Sequence, residues 1–551
     1  MRVVLITTPA RTRKVNYVIP SGVIALAAHL ESAGHTVIVV DQALHRHPTE
    51  ELARRVADLA PDLVGLSGII TAYSHIIALI GDLRKVLPTV PVVLGGQVGI
   101  NNVENCFTHM AIDYLVHGYG EFALEKLVRA LQGAIAVEMI PGLSYRRGDT
   151  VVTNPGREFF RHLDDRPIPA YHLVDMEHYC GALASVKKGE FVYNGRRLPV
   201  NPRVLPVYGT LGCTDRCTFC VHEQEFVGIK LNSNRVLMAH LTFLHREYGI
   251  NFFNMGEEMF ISKLDRAREF NTMMKAELPE CYWTATTRAD FVTPDLITEL
   301  KTGHCVGLTW GYESGSQRML DLMNKRMSVA VNNRAVVLAR EAGLYSSTTL
   351  MVGNVGETHQ TIQETMAGVH EIGLASGSVF LAAAYPGGRT WDWAVERGII
   401  ADTHTYLQRI SDRDAAQFNI NLTPYPDFVL RAWQTLVAYA IETAGKAGRP
   451  TPQATTNRGL RTRLRRAGRT LWLGFLLPRL VAATAYGCDL LLRLDSRRRA
   501  RFAIRVDAKG ALLPIHLIRG LPQTFLSETQ IHHLMNETGK RVLTLKPDAP
   551  G

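Results

Sequence analysis

Three cysteines in the run Gly-Cys213-Thr-Asp-Arg-Cys217-Thr-Phe-Cys220 are the residues of this chain best placed to do chemistry. The chain has only 8 cysteines in 551 residues, so three at such short fixed offsets stand apart from composition. Thiolates this close suit an iron–sulfur cluster or zinc. A structural zinc site needs a fourth ligand, for which His222 is the nearby candidate. On a four-iron cluster, three thiolates leave one iron open to a substrate or cofactor. Cys106, Cys180, Cys281, Cys305 and Cys488 lack ligand spacing and read as buried small hydrophobes.

The elements that must position these residues follow from hydrophobic periodicity. Residues 1–130 alternate strand-like runs (Arg2–Ile6, Thr36–Val40, Leu63–Ser67, Val90–Leu94, Asp113–His117) with helical patterns (Gly22–Ala33, Glu50–Leu59, Ala72–Val86, Gly120–Leu131). Such alternation predicts a doubly wound parallel sheet covered on both faces, an α/β fold. Its ligands bind outside the carboxyl ends of the strands, which here carry small residues that leave room for a large ligand. Residues 132–198 lose the rhythm, with a hairpin expected around Arg147-Gly148-Asp149. Alternation resumes at Val204–Tyr208 and continues through Asn251–Met255, Trp283–Thr286, Gly307–Tyr312, Ser346–Val352 and Ser378–Ala383. Six strand–helix units in sequence predict a β/α barrel or partial barrel. The cysteine run directly follows the first of these strands. The expected organisation is therefore an N-terminal domain over 1–135, a linker over 136–198, a barrel core over 199–425 and a basic, mainly helical C-terminal region over 426–551.

Composition narrows the classes. The formal net charge is +10, but residues 457–551 hold 18 lysines and arginines against 6 acidic residues, leaving the rest of the chain at −2. The basicity is thus confined to the C-terminal segment and argues against a nucleic-acid surface. The stretch Leu471–Leu494 is interrupted by Pro478, Arg479 and Asp489, which excludes a spanning helix. The basic run Arg458–Arg469 and the apolar Leu471–Leu477 that follows read as a solvated helical cap, with peripheral membrane contact or docking of an acidic electron donor as the other readings. The short apolar N-terminus is no secretory signal, and the scattered cysteines are no disulfide framework, so a cytoplasmic setting is expected.

With these residues in view, the chain resembles the radical S-adenosylmethionine (SAM) superfamily. The cysteine spacing is that family's, and Phe219 supplies its aromatic residue before the last cysteine. Further segments match in order. Asn254-Met-Gly-Glu257-Glu-Met-Phe260 resembles the acidic second-strand end, with glutamates where an aspartate pair is usual. Thr287-Arg288-Ala-Asp290 resembles the arginine strand, and Gly311-Tyr-Glu313-Ser314-Gly315 with Lys325 the glutamate–glycine strand and its lysine. Met351-Val-Gly353-Asn-Val-Gly356-Glu357 and Tyr385-Pro-Gly387 complete the run. The resemblance implies a 4Fe–4S cluster on Cys213, Cys217 and Cys220, whose open iron chelates SAM. It implies SAM contacts from Phe219, Glu257, Arg288, Glu313, Ser314, Lys325 and Gly353. Carboxylates suit ribose hydroxyls and an ammonium, and an arginine suits a carboxylate.

The N-terminal part resembles the cobalamin-binding domain that precedes one large subgroup of these enzymes, through Ile19-Pro20-Ser-Gly22, Leu94-Gly95-Gly96 and Val116-His-Gly118-Tyr-Gly120-Glu121. That resemblance implies cobalamin contacts from Thr7, Ser67, Gly68, Gly95, Gly96, Gln97, Gly118, Tyr119, Gly120 and Glu121. The Asp-x-His-x-x-Gly signature of histidine-ligated cobalt is missing from Thr7–Val18, so cobalamin would bind without that ligand. Gly118-x-Gly120-x-x-Ala123 matches a dinucleotide fingerprint, but it follows the fifth strand and lacks the acidic partner, which rules out a nicotinamide site. The implied reaction is methyl transfer to an unactivated carbon or a phosphinate phosphorus of a small molecule, one SAM supplying the methyl group and a second the radical. A low-potential donor of flavodoxin or ferredoxin type would feed the cluster. The alternatives are a non-methylating rearrangement, cyclisation or oxidation, and a non-catalytic cofactor carrier. A methylthiotransferase is disfavoured, because only Cys106 lies within residues 1–130.

Overall fold

Aliphatic runs become buried strands in the computed structural model, which describes residues 1–9, 18–181, 191–193, 196–198, 202–221, 228–256, 259–413 and 417–447. Among them the chain forms two compact units. The first comprises Met1–Trp310, Leu338–Ser346 and Ala384–Asp414; the second comprises Gly311–Val337, Ser347–Ala383 and the described residues that follow.

The N-terminal strands are β1 (Arg2–Thr7), β2 (Thr36–Asp41), β3 (Leu63–Ser67), β4 (Val92–Gly95) and β5 (Tyr114–Val116). Helices α1 (Ser21–Ser32), α2 (Gln42–His45), α3 (Thr49–Asp58), α4 (Tyr73–Val86), α5 (Val103–His109) and α6 (Glu121–Leu131) connect them. Each βαβ crossover places apolar helix faces on the sheet, so β1 is buried at every residue after Arg2. The strand order is β2-β1-β3-β4-β5, all parallel, with Thr7 level with Asp41 on one side and Ser67 on the other. This is the order whose direction reverses between β1 and β3, and a crevice opens outside the strand ends at such a point.

The described residues between 136 and 198 belong to the first unit. The hairpin expected around Arg147-Gly148-Asp149 forms as β6 (Leu143–Arg147) and β7 (Thr150–Thr153), and β6 pairs antiparallel with β5 to extend the sheet to seven strands. Helix α7 (Met176–Gly181) follows, then the short hairpin β8 (Phe191–Tyr193) and β9 (Arg196–Leu198). Ala170 N donates to Ile24 O of α1 at 2.9 Å, and Tyr179 Oη donates to Asp41 Oδ2 at 2.6 Å. Apolar side chains without periodic spacing, Leu163, Ala170, Tyr171 and Met176, are buried here. The local sequence reads as turns because the backbone is irregular; tertiary contacts hold it.

The second region begins with β10 (Val204–Val207) and a two-residue hairpin, β11 (Thr210–Leu211) with β12 (Lys230–Leu231), which brackets the cysteine run. Strands β13 (Phe252–Met255), β14 (Tyr282–Thr286), β15 (Cys305–Glu313), β16 (Tyr345–Val352) and β17 (Gly377–Leu381) follow in chain order as a parallel partial-barrel sheet. In the first unit β10, β13, β14 and the start of β15 pair in succession; in the second, β16 pairs with β17. The intervening helices are α8 (Asn234–Tyr248), α9 (Leu264–Glu277), α10 (Pro294–Lys301), α11 (Gln317–Leu322), α12 (Val329–Glu341) and α13 (His359–Glu371). Their ends are written locally. Ser233 caps α8 and Gly249 closes it in the left-handed region; Thr293 caps α10 ahead of Pro294 at its start. Trp283 is fully buried between Phe260 and Phe270, edge to face, and its Nε1 donates to Gly303 O at 2.7 Å. Helices α14 (Arg389–Glu396), α15 (Thr403–Ile410) and α16 (Asp427–Ala447) end the described chain. The expectations for the basic segment from Asn457 onward, including Arg458–Arg469, Leu471–Leu477 and Cys488, lie outside the described residues. Among the described residues no helix is long and apolar enough to cross a membrane.

Candidate cofactor sites

At the switch point of the first sheet the strand ends enclose a slot of about 150 Å³. Its walls are aliphatic: Leu5 and Ile6 of β1, Leu66 of β3, Val93 and Leu94 of β4, with Val23 and Leu26 of α1. Ser67, Gly95, Gly96, Gly118, Tyr119, Gly120 and Glu121, all singled out from sequence, line it. Gly96 is required there by close approach. Its φ is +79°, and a Cβ would meet Gly68 O and Ser67 Oγ at 2.8 Å. An aliphatic cavity of this size holds about one aromatic ring. The slot therefore fits the flat base of a nucleotide tail and is too small for a corrin macrocycle, which would have to lie outside the strand ends.

Three further residues expected to contact cobalamin do not line the slot. Thr7 is buried and turned away from the slot, its Oγ1 donating to Asp41 Oδ1 at 2.8 Å and accepting from Ala43 N at 3.2 Å. Gly68 packs under Thr8 and Ile76, and Gln97 Oε1 accepts from Ile70 N at 3.5 Å. Neither lines the slot. Conversely, Arg166 does line it, although it comes from the stretch read as a linker. Its Nη2 meets Glu121 Oε1 at 2.7 Å, with side chains 19% and 5% exposed. Nearby, burial and then the Arg166 charge push the His240 imidazole down to about 4, so it stays neutral where its Nε2 meets Tyr171 Oη at 3.0 Å. Burial followed by Arg157 likewise lowers His117 to about 4, its Nε2 lying 2.7 Å from Ser144 Oγ.

The cysteine loop leaves β11 at Leu211. Cys217 is buried and Cys213 and Cys220 half-buried, and none is in a disulfide. Cys220 N donates to Cys217 O at 3.2 Å, so the last two cysteines sit on one tight turn. Thr390 at the start of α14 fastens that turn, its N and Oγ1 both donating to Thr218 O at 2.9 and 3.0 Å. Among the described residues no three His, Cys, Asp or Glu side chains meet at metal-ligating spacing. What fits a cluster is the donor set: three thiols on a single anchored loop. Cys106, Cys281 and Cys305 contrast with them, each buried and each thiol raised to about 12 by that burial, as does Cys180 at about 11. His222 and Glu257 lie outside the described residues. Phe219 is half-buried within the loop.

Arg288, expected to meet a carboxylate of SAM, is held by carboxylates of the chain. It forms an ion pair with Asp215, inside the cysteine loop, and another with Asp290 at 3.0 Å. The Arg288 and Asp215 side chains are 12% and 7% exposed, Asp290 43%. Asp215 drew no notice in the sequence, where it is 73 residues from its partner.

In the second unit Glu313 ends β15 with φ +58°, a conformation that costs an ordinary residue about 1–3 kcal/mol and must be held by its surroundings. Lys325 Nζ donates to Glu313 Oε1 at 2.9 Å, both side chains nearly buried. Gly311 makes room for the pair, since a Cβ there would collide with Glu313 Oε1. Ser314 is buried with its Oγ 2.9 Å from Thr365 Oγ1. Gly353, φ +85°, donates its N to Glu357 Oε2 at 2.8 Å. Glu357 is fully buried and also accepts from Thr361 Oγ1; burial pushes its carboxyl up to about 7 against the pull of these bonds.

Comparisons with known proteins follow the same division. The B12 binding domain family matches residues 10–128, and the radical SAM superfamily matches residues 207–367. An uncharacterized methyltransferase of Pyrococcus horikoshii is 25% identical over 406 residues, 73% of this chain and 84% of its own length. The anaerobic magnesium-protoporphyrin IX monomethyl ester cyclase of Rubrivivax gelatinosus is 25% identical over 355 residues, 63% of this chain and 61% of its own. The cytidylyl-2-hydroxyethylphosphonate methyltransferase of Streptomyces wedmorensis is 25% identical over 448 residues, 71% of this chain and 80% of its own. In fold, the chain is similar to the radical SAM methyltransferase TsrM of Kitasatospora setae, with a TM-score of 0.59 at 18% identity over 72% of this chain and 76% of that one.

Proposed function

We propose, for a chain that belongs to the cobalamin-binding radical SAM enzymes, that it transfers a methyl group to an unactivated carbon or a phosphinate phosphorus of a small-molecule substrate. The observation that carries this reading is one chain holding both an aromatic-ring-sized slot at the switch point of its B12 binding domain and a loop of three thiols in its radical SAM domain. The names of the relatives from Pyrococcus and Streptomyces support methyl transfer over other outcomes. When bound, cobalamin supplies a methyl carrier, and the cluster supplies the electron that cleaves SAM.

The chain's residues divide the work. The aliphatic slot takes the base of the cobalamin tail, and the small residues at the strand ends, Ser67, Gly95, Gly96, Gly118 and Gly120, leave the macrocycle room above them. Cys213, Cys217 and Cys220 ligate the cluster, and the Asp215–Arg288 pair holds their loop against β14. The SAM contacts carried over from the motifs are Phe219 and Glu257 in the first unit and Glu313, Ser314, Lys325 and Gly353 in the second, where Lys325 and Glu357 position Glu313 and the Gly353 turn. In this reading the corrinoid domain occupies 1–135 and the radical core 199–425, and a low-potential flavodoxin or ferredoxin supplies electrons.

The relative named as a cyclase favours ring closure as the second reading. Anaerobically reconstituted protein given SAM, cobalamin and a strong reductant separates the two. Methyl transfer predicts S-adenosylhomocysteine together with 5′-deoxyadenosine. 5′-Deoxyadenosine without S-adenosylhomocysteine overturns it in favour of the second reading, and intact SAM with a full cluster overturns both.

A further inference from the structure

We propose that Arg166 binds the phosphodiester of the cobalamin nucleotide tail, an inference that rests on the corrinoid reading of the slot. Among the described residues lining that slot, Arg166 is the one cation and Glu121 the one carboxylate; the walls are otherwise aliphatic, with small and uncharged residues at the strand ends. Cobalamin carries a flat base joined through ribose and a phosphodiester to the macrocycle. With the base among Leu5, Leu66 and Val93 and the macrocycle outside the strand ends, the phosphate falls between them, at the mouth. Gly118–Glu121 and Arg166 are the lining residues that suit it.

Arg166 has a donor to give. Its Nη2 is engaged by Glu121 Oε1, but its Nε is buried and has no hydrogen-bond partner among the described residues. A buried unsatisfied donor on a charged group is costly, and an anionic ligand arriving at the mouth removes that cost. The planar guanidinium can keep its carboxylate on one nitrogen and donate to a phosphate oxygen from another. Glu121 then has a defined role: it neutralises and orients Arg166 before the cofactor enters. The first turn of α6, which starts at Glu121 and has no side-chain cap, also lines the slot and favours an anion. Arg166 itself is set by the turn Leu163–Asp165, its N donating to Leu163 O at 3.1 Å.

Cobinamide, which keeps the corrin but lacks the base, ribose and phosphate, isolates the claim. Dissociation constants for cobalamin and cobinamide are measured by absorbance titration on the full-length wild type and on Arg166→Gln, Glu121→Gln and the double variant, with circular dichroism as the check on folding. The wild type is expected to prefer cobalamin. Arg166→Gln should weaken cobalamin about ten- to a hundredfold, the worth of one charge-assisted hydrogen bond, and leave cobinamide unchanged. Glu121→Gln should bind cobalamin at least as tightly as the wild type. The double variant, free of an unpaired buried charge, should repeat the Arg166→Gln loss. Equal weakening of both corrinoids, or of neither, in Arg166→Gln overturns the proposal while leaving the corrinoid reading intact. A wild type that binds neither corrinoid overturns that reading itself.

Discussion

Removing either partner of the Asp215–Arg288 pair should damage the cluster loop, and the two losses should be unequal. Arg288→Gln takes the Arg288 cation from the Asp215 carboxylate, whose side chain is 7% exposed. Breaking a buried ion pair from one side typically costs about 3–5 kcal/mol. Asp215→Asn leaves Arg288 its second carboxylate, Asp290, whose side chain is 43% exposed. That residual pair is half in water, so the net cost should be nearer 1–2 kcal/mol. A gap of about 2 kcal/mol corresponds to roughly thirtyfold in a loop-opening equilibrium. The assay is the rate at which a strong iron chelator strips anaerobically reconstituted protein. Arg288→Gln is expected to lose iron at least tenfold faster than Asp215→Asn, and the doubly neutral variant to lie closer to wild type than Arg288→Gln does. If Asp215→Asn releases iron as fast as Arg288→Gln, or if the two effects simply add, the pair does not hold the loop. A rise in the SAM dissociation constant with unchanged iron release in Arg288→Gln would instead return Arg288 to the SAM contact expected from its motif.

Two further outcomes are expected. The Glu357 carboxyl is raised by burial from its ordinary 4.5 to about 7, so the folded state binds its proton more tightly than the unfolded chain does. Its contribution to stability is full below about pH 4.5 and is lost as pH rises through 7, a decline of roughly 3 kcal/mol. Denaturant midpoints of cofactor-free protein at pH 5.5 and 8 should show this slope, and Glu357→Gln should flatten it; an unchanged slope refutes the assignment. At the corrinoid slot, Gly96→Ala forces a Cβ onto Gly68 and Ser67 at φ +79° and should destabilise the cofactor-free protein by about 2–4 kcal/mol. Gly95→Ala, which meets nothing within 4 Å, should stay within about 0.5 kcal/mol of wild type. Equal melting temperatures for the two variants would show that the Gly68–Gly96 approach is not tight.

The parts of this architecture that repeat were legible in the sequence. Buried parallel strands show as uninterrupted aliphatic runs such as Val3–Ile6 and Val92–Leu94, and the cysteine spacing is local enough to read directly. Strand order was not legible, because the crossovers that place β1 between β2 and β3 leave no mark on either strand. Nor were the side chains whose role depends on a distant partner. Arg166, from irregular backbone, and Tyr179, from the short helix α7, find Glu121 and Asp41 across the fold; Asp215 sits between two cysteines that draw all the attention. Thr7 shows the same dependence from the other side. A hydroxyl at a strand end looks like a ligand, but the register puts it level with Asp41, and it donates its hydrogen bond to that buried carboxylate.

The pairing of β6 with β5 bears on how this chain could be cut or recombined. Strand β5 is three residues long, and among the described residues its outer edge pairs with the antiparallel Leu143–Tyr145, of which Leu143 and Tyr145 also enter the core beside Val116 and Leu127. A fragment ending at residue 135 would bare that edge together with an apolar face, the combination that templates strand addition between molecules. The corrinoid half is therefore transplantable as a well-behaved piece only if it carries the hairpin with it, through Thr153.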